Sequence, residues 1–443
     1  MTQPEPATQR LDTKDTAVGS VFVSNYPPYS AWERDRADLA EQALDSAAAT
    51  DTDLGLYLHI PFCRKRCKFC YFRVYTDKNA NEIGTYLDAL AAEMEKLSTR
   101  PAIAGRRPRF VYFGGGTPSY IGVDQLHSLV KRLQAAIPWS DTEEITFECE
   151  PGTLSRRKLE AIREIGVTRL SLGIENFNDE ILQENGRAHV STEIYRCLPW
   201  IVDLDFDQLN IDLIAGMVGE TWKTWQETVA KTLEIDPDSV TIYQMELPFN
   251  TRYSSTILDG SFDRPLADWH TKRVWHDYAI QELSKAGYEV SSAYTMVKNR
   301  QTSRFVYRDS VWHGCDLLGT GVASFSHINN VHFQNVDGWG EYLALLGQDR
   351  LPIGRAYVTE NREQWIREFI LQLKLGEVNA DYFLTKFDVD PVQEFARPLQ
   401  QLESQGWLAV SDRLVRLTRK GLLRVDSLLP EFYDSPHRGA RYS

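Results

Sequence analysis

Apolar and polar positions along the first three quarters of this chain alternate between two spacings, one typical of strands and one typical of helices. Short runs rich in β-branched and aromatic residues predict strands, at residues 54–60, 110–113, 145–148, 169–174, 208–214, 240–247 and 288–291. Stretches with helical periodicity lie between most of them, at residues 82–97, 124–136, 155–165, 222–233 and 268–286. Strands that alternate with helices predict a parallel sheet with crossover helices. We therefore predict an α/β fold, a full or partial (β/α) barrel whose active site lies at the C-terminal ends of its strands.

The pattern changes after about residue 350. Beyond it the spacing predicts two amphipathic helices, a hairpin and a further helix, at residues 363–375, 391–406, 407–417 and from Lys420 onwards. Such an arrangement resembles a winged-helix module, which could bind DNA. Residues 355–443 carry equal numbers of acidic and basic side chains, so we expect a structural or lid role instead.

Length and composition add limits to this picture. The chain has 443 residues, more than one domain usually holds. We predict an N-terminal extension over residues 1–50, a barrel core over residues 51–350 and a C-terminal domain over residues 351–443. The net charge of −13 is unlike that of a general nucleic-acid-binding protein.

No apolar run is long enough to span a bilayer, and the polar N-terminus lacks the plan of a signal peptide. Six cysteines, of which three are clustered, do not resemble a disulfide framework. Metal-binding thiols must stay reduced, so we expect a cytoplasmic protein with neither a membrane nor a nucleic acid as partner.

The clustered cysteines are Cys63, Cys67 and Cys70, which follow the strand predicted at residues 54–60 with the spacing C-x-x-x-C-x-x-C. Three thiolates at this spacing can bind three corners of a [4Fe–4S] cubane, which leaves the fourth iron open to another ligand. The alternatives are a zinc knuckle or three incidental thiols. Zinc would require a fourth Cys or His at a compact spacing, and His59 lies on the strand before the loop.

With Phe69 directly before the third cysteine, this segment resembles the radical S-adenosylmethionine (SAM) superfamily. The resemblance implies that SAM chelates the open iron through its amino and carboxylate groups. An electron from the cluster then cleaves the sulfonium into methionine and a 5′-deoxyadenosyl radical. The strand predicted at residues 110–113 runs into the glycines 114–116 and Thr117. This supports the resemblance, because glycines let backbone groups approach a ligand closely. In the superfamily this segment hydrogen-bonds the SAM amino group, whereas a plain tight turn would need only one glycine.

Further motifs narrow the resemblance to one family. In order, they are Tyr57-x-His59-Ile60-Pro61-Phe62-Cys63, Gly114-Gly115-Gly116-Thr117-Pro118-Ser119, Glu148-Cys149-Glu150-Pro151, Ser171-Leu172-Gly173-Ile174-Glu175-Asn176-Phe177, Gly186-Arg187-Ala188-His189, Asn210-Ile211-Asp212-Leu213-Ile214-Ala215-Gly216 and Leu318-Gly319-Thr320-Gly321-Val322-Ala323-Ser324. From about Leu54 to the C-terminus, the chain resembles the oxygen-independent coproporphyrinogen III oxidase family. The segment 25–29 also resembles that family's N-terminal extension.

The resemblance implies a set of cofactor-binding residues. The positions that match the family's SAM contacts are Tyr57, Phe69, Gly115, Gly116, Thr117, Glu148, Arg187, Asp212, Met245 and Phe325. Glu175, which stands where the family has a glutamine, belongs to the same pocket. Asp212 can accept hydrogen bonds from ribose hydroxyls, and Arg187 can pair with the SAM carboxylate. The family also implies one or two SAM molecules, a small-molecule substrate, an electron donor such as flavodoxin or ferredoxin, and a monomer.

Two departures affect the expected reaction. The decarboxylating enzymes carry a fourth cysteine two places after the third, where this chain has Phe72, and their glutamine is Glu175 here, an acceptor-only group when it is ionised. We therefore expect radical functionalisation of a C–H bond, with methyl or methylene transfer to an unsaturated carbon of a natural product or porphyrin-like substrate as the favoured form. The alternatives are oxidative decarboxylation of coproporphyrinogen III and non-catalytic haem delivery.

Other polar groups receive simpler interpretations. Four basic residues before the Leu318 run could bind substrate carboxylates, although a solvated loop is the simpler expectation: Lys298, Arg300, Arg304 and Arg308. His313 and His327 are expected to be surface or hydrogen-bonded histidines. Cys149, Cys197 and Cys315 are expected to be buried apolar residues, with a substrate-contacting thiol at Cys315 as the less favoured alternative.

Overall fold

The computed structural model describes residues 18–20, 22–49 and 52–439. The polar N-terminus that we interpret as lacking a signal peptide lies almost entirely outside these residues. Within them, no helix is both long and apolar enough to cross a membrane.

The described residues form one large sheet and one small sheet. The strands of the large sheet are β1 Glu33–Arg34, β2 Leu54–Ile60, β3 Pro108–Gly115, β4 Glu144–Cys149, β5 Arg169–Glu175, β6 Gln208–Ala215, β7 Ser239–Gln244, β8 Glu289–Val290, β9 Thr295–Val297, β10 Asp316–Thr320, β11 Phe325–Ile328, β12 Val331–Asn335 and β13 Ile353–Val358. Those of the small sheet are β14 Glu377–Asn379, β15 Leu408–Ser411 and β16 Leu414–Leu417.

The large sheet is a partial, unclosed barrel. Its strand order is β1-β13-β12-β11-β10-β2-β3-β4-β5-β6-β7-β9-β8. The central strands, from β10 and β2 through β7, are all parallel to their neighbours, and antiparallel strands extend the sheet on both sides. The parallel register puts the C-terminal ends of the central strands at one edge, where the cysteine loop begins.

Helices cover the convex face of this sheet and build the C-terminal part of the chain. They are Ala37–Asp45, Ala80–Ser98, Val123–Ala136, Arg156–Glu164, Asp179–Glu184, Ser191–Asp203, Trp222–Ile235, Arg252–Leu258, Trp269–Lys285, Val306–Trp312, Trp339–Gly347, Asn361–Leu373, Ala380–Phe387, Pro391–Glu394, Ala396–Ser404, Arg419–Leu422 and Val425–Leu428. The helix Ala80–Ser98, which follows the cysteine loop, begins with a capping box between Asn79 and Glu82, a pairing that satisfies free backbone N–H groups.

Alternation along the central strands separates a packed face from a polar one. Leu56 and Leu58 of β2 belong to the main hydrophobic core with residues of the covering helices. Tyr57, between them, stacks on Tyr112 of β3 with ring centroids 5.9 Å apart. The Tyr112 hydroxyl in turn donates to Glu148 of β4. The concave face therefore carries the residues that the sequence marks as functional.

The N-terminal ends of the strands are closed by the chain after β9. Glu144, the first residue of β4, accepts hydrogen bonds from the backbone N–H groups of Val306 at 2.8 Å and Tyr307 at 3.2 Å. The ring of Tyr307 packs on Tyr112, at a centroid distance of 4.4 Å. The concave face is thus filled at its base and open at the edge that carries the cysteine loop.

A second hydrophobic core joins both ends of the chain. It contains most of the buried residues after Trp365, together with Val23, Tyr26 and Trp312. The small sheet has the order β14-β16-β15 and supplies the winged hairpin predicted from the sequence. The domain boundaries at residues 50 and 350 remain predictions. Val23 and Tyr26, which precede residue 50, pack in the same core as the residues after 350.

Most predicted elements are present, with differences that have physical causes. The single helix predicted at 391–406 is two helices, since Pro398 has no N–H to donate to the carbonyl of Glu394. Between them Phe395 turns into the second core. The antiparallel strands β11 to β13 were not predicted, because their residues alternate less regularly than those of the parallel strands.

Gly55 allows β2 to pack against β3, and its substitution tests this packing. A Cβ at Gly55 would lie 1.8 Å from Cζ of the fully buried Phe110 ring. Gly55→Ala should therefore lower the free energy of unfolding by about 1–3 kcal/mol, as overpacked cores usually do, measured by urea and thermal denaturation. The control is Gly340→Ala in the helix Trp339–Gly347, where nothing lies within 4 Å of the new Cβ. Equal stability of the two variants would show that this contact is unimportant.

Candidate active site

The cysteine loop is held at both of its sides by backbone hydrogen bonds. Cys63 N–H donates to the carbonyl of Tyr75 at 3.1 Å, and Lys68 N–H donates to the carbonyl of Asn185 at 3.0 Å. The carbonyl of Lys68 accepts from Tyr253 N–H at 3.2 Å. The loop is therefore fixed by the segments that follow β5 and β7, and its shape depends on the whole edge of the sheet.

A buried carboxylate adds a side-chain anchor. Glu150 Oε1 accepts from Gly152 N–H at 3.1 Å and lies 2.8 Å from His189 Nδ1. Arg64, directly after the first cysteine, lies 3.6 Å from the same oxygen and donates to the carbonyl of Ala188. Glu150 thus ties the cysteine loop to the segment that follows β5.

The three thiols are free and half-buried. Burial raises the pKa of Cys63 to about 11 and that of Cys70 to about 12, and the neighbouring Cys67 adds to both shifts. Two donors point at the sulfurs: Thr117 Oγ1 lies 3.3 Å from Cys63 Sγ, and Arg187 Nη1 lies 3.4 Å from Cys67 Sγ. The hydrogen bond from Thr117 opposes the upward shift in the pKa of Cys63.

This donor set fits an iron–sulfur cubane. Among the described residues, no three or more His, Cys, Asp or Glu side chains are placed to hold one metal ion. A cubane makes a different demand, since each thiolate binds its own iron atom, and hydrogen bonds to the sulfurs tune its potential. Three interacting thiols with two hydrogen-bond donors meet that demand, with Cys63, Cys67 and Cys70 as the ligands.

The glycine run after β3 packs closely against the start of the cysteine loop and is hydrogen-bonded to it. Gly116 N–H donates to the carbonyl of Ile60 at 2.9 Å, and Thr117 N–H donates to the carbonyl of Phe62 at 2.8 Å. A Cβ at Gly116 would lie 2.9 Å from three backbone atoms of this loop. Gly115 has a φ of +111°, which glycine adopts readily. An ammonium group only donates hydrogen bonds, so the carbonyl oxygens of the run are the backbone groups that could bind it.

Glu148 is held on the concave face by two donors. Its carboxylate accepts from the Tyr112 hydroxyl at 2.6 Å and from Gly115 N–H at 3.2 Å. Burial raises the pKa of Glu148 to about 7. A cationic ligand beside it would favour the ionised carboxylate, because opposite charges stabilise each other strongly in a buried site.

Glu175 and Arg187 form a buried pair next to the cysteine loop. Their closest atoms are 3.5 Å apart, and Arg187 Nη2 donates to the carbonyl of Gly173 at 2.6 Å. Burial raises the pKa of Glu175 to about 7, against the opposing effect of Arg187. The pairing of β5 with β6 shifts register between Gly173 and Glu175, and Glu175 has a φ of +65°. This irregularity directs the strand end towards Arg187.

Arg187 retains hydrogen-bonding capacity. Its Nε atom is buried and has no hydrogen-bond partner within the described residues. Buried polar groups are normally paired, so this N–H fits an anionic group of a bound ligand. The arrangement agrees with the predicted pairing of Arg187 with a SAM carboxylate.

Asp212 lies in the middle of β6, paired in register with Gly173. Its carboxylate accepts from Ser171 Oγ and from Asn210 Nδ2, both at 2.9 Å. Burial raises the pKa of Asp212, and the nearby Arg169 opposes that shift. A carboxylate has about four acceptor sites, so Asp212 can still accept from ligand hydroxyls.

The predicted apolar residues divide into two groups. Phe69 and Met245 pack in the same hydrophobic cluster beside the cysteine loop, with Ile214 and Leu247. Phe325 is 42% exposed and contacts the ring of Trp32, with centroids 5.5 Å apart. Within the described residues, no ring contact or hydrogen bond joins Phe325 to the other predicted pocket residues.

Cys315 is buried, as expected. It precedes β10, whose first residue pairs with Leu54 at the start of β2, so its thiol lies at the end of the sheet opposite the cysteine loop and the less favoured substrate-contacting role does not fit. The basic loop lies at that same end. Arg300 and Arg304 in it are exposed, as expected of a solvated loop, whereas Arg308 is buried and hydrogen-bonded to Asp309 and Ser291.

A cavity of about 940 Å³ opens at this opposite end, between the barrel and the C-terminal residues. Most of its basic side chains are already paired, as Arg109 is with Asp53 and Arg416 with Glu377. We therefore place the chemistry at the cysteine edge, where unpaired donors and thiols meet.

The sequence motifs do not identify the residues that hydrogen-bond to the predicted site residues or lie beside them. Tyr112, Ser171, Asn210 and Arg169 all lie on the concave face, within one or two hydrogen bonds of a predicted residue or close enough to shift its pKa. The period of two could have identified three of them, since Arg169 and Ser171 share strand parity with Glu175 along β5, and Asn210 with Asp212 along β6.

Comparisons with known proteins agree with this site. The profile of the radical SAM superfamily matches residues 57–231, and that of the HemN C-terminal domain matches residues 360–424. The oxygen-independent coproporphyrinogen III oxidase of Synechocystis sp. is 27% identical over 432 residues, 92% of this chain and 91% of that protein. The haem chaperone HemW of Bacillus subtilis is 26% identical over 389 residues, 85% of this chain and 98% of that protein.

A solved structure shows the same fold. Coproporphyrinogen III oxidase (HemN) from Escherichia coli superimposes with a TM-score of 0.80 at 24% identity, over 93% of this chain and 96% of that one. Membership of the radical SAM superfamily implies a [4Fe–4S] cluster and SAM as cofactors. The chain therefore contains a radical SAM domain followed by a HemN C-terminal domain, and over nine tenths of its length it is similar to an oxygen-independent coproporphyrinogen III oxidase.

Proposed function

We propose that this protein is an enzyme that cleaves SAM reductively and uses the resulting radical to functionalise a C–H bond of a small molecule. One observation carries the proposal: Arg187 joins Cys67 of the cysteine loop to Glu175, and Glu148 and Asp212 lie beside that pair on the concave face. When bound, the cluster supplies the electron that breaks the sulfonium bond of SAM.

The residues of the chain bind and orient SAM. Arg187 offers its free Nε–H to the carboxylate, and carbonyl oxygens of the glycine run are the proposed acceptors for the ammonium group. Asp212, fixed by two donors, can accept from ribose hydroxyls. Because these groups are buried and held before SAM arrives, little free energy is spent in ordering them.

The open side of the concave face suits a flat and largely apolar substrate. Four aromatic side chains in this region are partly exposed: Tyr71 at 39%, Phe72 at 45%, Tyr243 at 40% and Phe325 at 42%. Tyr71 and Phe72 stack on each other with centroids 4.5 Å apart. Exposed aromatic groups of this kind mark binding surfaces more often than random surface positions do.

The departures at Phe72 and Glu175 bear on which substrate reacts. Phe72 has no group that could donate a hydrogen atom or a proton, and Glu175 is paired with Arg187. We therefore propose that decarboxylation of coproporphyrinogen III is not the main reaction of this chain. Methyl or methylene transfer from a second SAM stays a hypothesis, and the two relatives described above are named for other activities.

Haem delivery is the second candidate function. The similarity to the Bacillus subtilis haem chaperone favours it, since the match extends over 98% of that protein. If the protein delivers haem, the site would bind SAM without continued turnover, and the exposed aromatic residues Tyr71, Phe72, Tyr243 and Phe325 would contact the haem.

The cluster assignment predicts a sharp difference among the cysteines. Replacing Cys63, Cys67 or Cys70 with alanine should abolish the iron–sulfur absorption and all SAM cleavage, because two thiolates do not hold a cubane stably. Cys197→Ala is the matched control, since its thiol is buried and donates only to the carbonyl of Ile194. Anaerobic reconstitution should give about four irons and four sulfides per chain in the control. The same content in a loop variant would disprove the assignment.

The SAM pocket predicts a loss of affinity with the cluster retained. Asp212→Ala and Arg187→Ala should each weaken SAM binding by about 1–3 kcal/mol, the usual effect of removing a partner in a buried polar site. Calorimetry on the reconstituted protein measures this, with iron content checked for each variant. Asp207→Ala, which removes an exposed ion pair with Arg163, should change binding by less than about 0.5 kcal/mol. Unchanged affinity in both pocket variants would contradict the placement of SAM.

The candidate reactions can be distinguished by the products that each would release. With dithionite and SAM, the reconstituted protein should release 5′-deoxyadenosine repeatedly and convert little coproporphyrinogen III. The variant carrying Phe72→Cys and Glu175→Gln restores the family residues and should decarboxylate more than the unmodified chain. Methyl transfer would give S-adenosylhomocysteine from one SAM and 5′-deoxyadenosine from another in the same reaction. Stoichiometric haem retention without SAM cleavage would favour the chaperone, and efficient decarboxylation by the unmodified chain would refute the proposal.

A further inference from the structure

The cavity at the end of the sheet opposite the cysteine loop has a charge unlike that of the rest of the chain. Its volume of about 940 Å³ lies within the range of about 300–1,000 Å³ that ligand pockets have. Seven arginine or lysine side chains line it but only three acidic ones, whereas the whole chain has a net charge of −13. A positive cavity in an acidic protein concentrates small anions at one place.

Most of these cations have a structural partner. Four of them form ion pairs with carboxylates at 2.9 Å or less, namely Arg109, Lys386, Arg416 and Arg419. A fifth, Arg300, donates to the carbonyl of Val290 and lies 3.9 Å from Glu289. These contacts hold the wall of the cavity together, and they leave Arg304 and Arg308 as the residues that could hold a ligand.

Arg304 and Arg308 both retain hydrogen-bonding capacity. Arg304 is exposed, and it forms no ion pair or side-chain hydrogen bond within the part of the chain that the structure describes. Arg308 is only 7% exposed and donates to Asp309 and Ser291, which also line the cavity. Its Nη1 atom is buried and has no hydrogen-bond partner among the described residues. Buried N–H groups are normally paired, so this atom suits an acceptor oxygen that a ligand supplies.

The rest of the wall suits a molecule with a carbon skeleton. The half-buried side chains of Val290, Leu375 and Leu417 line the cavity together with the arginines. The hydroxyl-bearing residues Ser303 and Ser310 also line it, and each hydroxyl can donate one hydrogen bond. A small organic anion would use these surfaces better than a bare inorganic ion would.

The cavity is too far from the cysteines for its occupant to be the molecule that reacts. Asp53 on its wall directly precedes β2, and the cysteine loop follows the other end of that strand. The seven residues of β2 span roughly 20 Å, at about 3.3 Å per residue. A radical reacts only with groups that it contacts, so a molecule bound here would act as an effector or a stabilising ligand.

We propose that this cavity binds a small organic anion with two or more carboxylate or phosphate groups, and that Arg304 and Arg308 are its anchors. A guanidinium group pairs with carboxylate and phosphate in the same bidentate manner. The ligand would join the segment before β10 to the C-terminal residues 375–377 and 416–419, which form the other wall. The inference does not rest on the proposed function, because it concerns binding at the opposite end of the sheet.

Binding of two anions of different chemistry tests the proposal. Citrate, a polycarboxylate, and fructose 1,6-bisphosphate, an organic phosphate, are titrated into the reconstituted protein by calorimetry at constant ionic strength. At least one should bind at one site per chain and more tightly than sulfate, and the tighter of the two identifies the group that the cavity prefers.

Variants locate this binding in the cavity. Arg304→Ala should weaken it about tenfold or more, the usual effect of removing a charged hydrogen-bonding partner. Arg308→Lys keeps the positive charge but removes the forked donor, and it should also weaken binding. The control is Arg397→Ala, at an exposed arginine of the helix Ala396–Ser404 outside the cavity, which should bind within about twofold of the unmodified protein.

Thermal denaturation and competition with SAM give independent readouts. The bound anion should raise the Tm of the unmodified protein and of the control, because it binds the native state, and should raise that of Arg304→Ala less. Saturating SAM should leave the affinity unchanged, since its pocket lies at the other end of the sheet. Binding no tighter than that of sulfate, equal binding by Arg304→Ala and Arg397→Ala, or displacement by SAM would overturn the proposal. Tighter binding of a duplex oligonucleotide that Arg304→Ala abolishes would assign the surface to nucleic acid and would also overturn it.

Discussion

The site depends on the pairing of β2 with β3, which continues past both strands into the loop that carries the cysteines. Gly116 and Thr117 donate to the carbonyls of Ile60 and Phe62, so the glycine run and the cysteine loop form one hydrogen-bonded unit. No side chain larger than glycine fits at Gly116, because a Cβ would lie 2.9 Å from three backbone atoms. The thiols and the carbonyl groups proposed to bind SAM are therefore placed by the same backbone contacts, and a shift in one would displace the other.

Around this unit, the concave face concentrates charge in a place that water reaches poorly. Burial opposes ionisation of Glu148, Glu175 and Asp212, and the guanidinium groups of Arg169 and Arg187 partly offset that effect. Such groups are costly to bury, but they require no reorganisation when a charged ligand arrives. SAM carries one carboxylate and two cationic groups, an ammonium and a sulfonium. It would complement this site, since its carboxylate can pair with Arg187 and its cationic groups can lie near the carboxylates of the chain.

The same framework accommodates more than one function in related proteins, and the differences lie in a few side chains. The two relatives compared here include a coproporphyrinogen III oxidase and a haem chaperone at nearly the same identity. The backbone unit of β2, β3 and the cysteine loop explains what such proteins have in common. On our proposal, positions such as Phe72 and Glu175 lie near the substrate, so that they would affect the reaction more than the fold. Function within this family therefore has to be argued from the site.

The sequence by itself determined the parallel strands and most helices, because these depend on local spacing, and it predicted the cysteine ligands and the family resemblance from short ordered motifs. It also identified Glu148, Glu175, Arg187 and Asp212 through those motifs. Only the tertiary structure decided which groups support them, since Tyr112, Ser171 and Asn210 meet the named residues across neighbouring strands. It also moved Cys315 and the basic loop to the far end of the sheet, because strand direction and register are set by long-range pairing. The split of the helix predicted at 391–406 had a local signal in Pro398, but the burial of Phe395 in the second core was decided by packing.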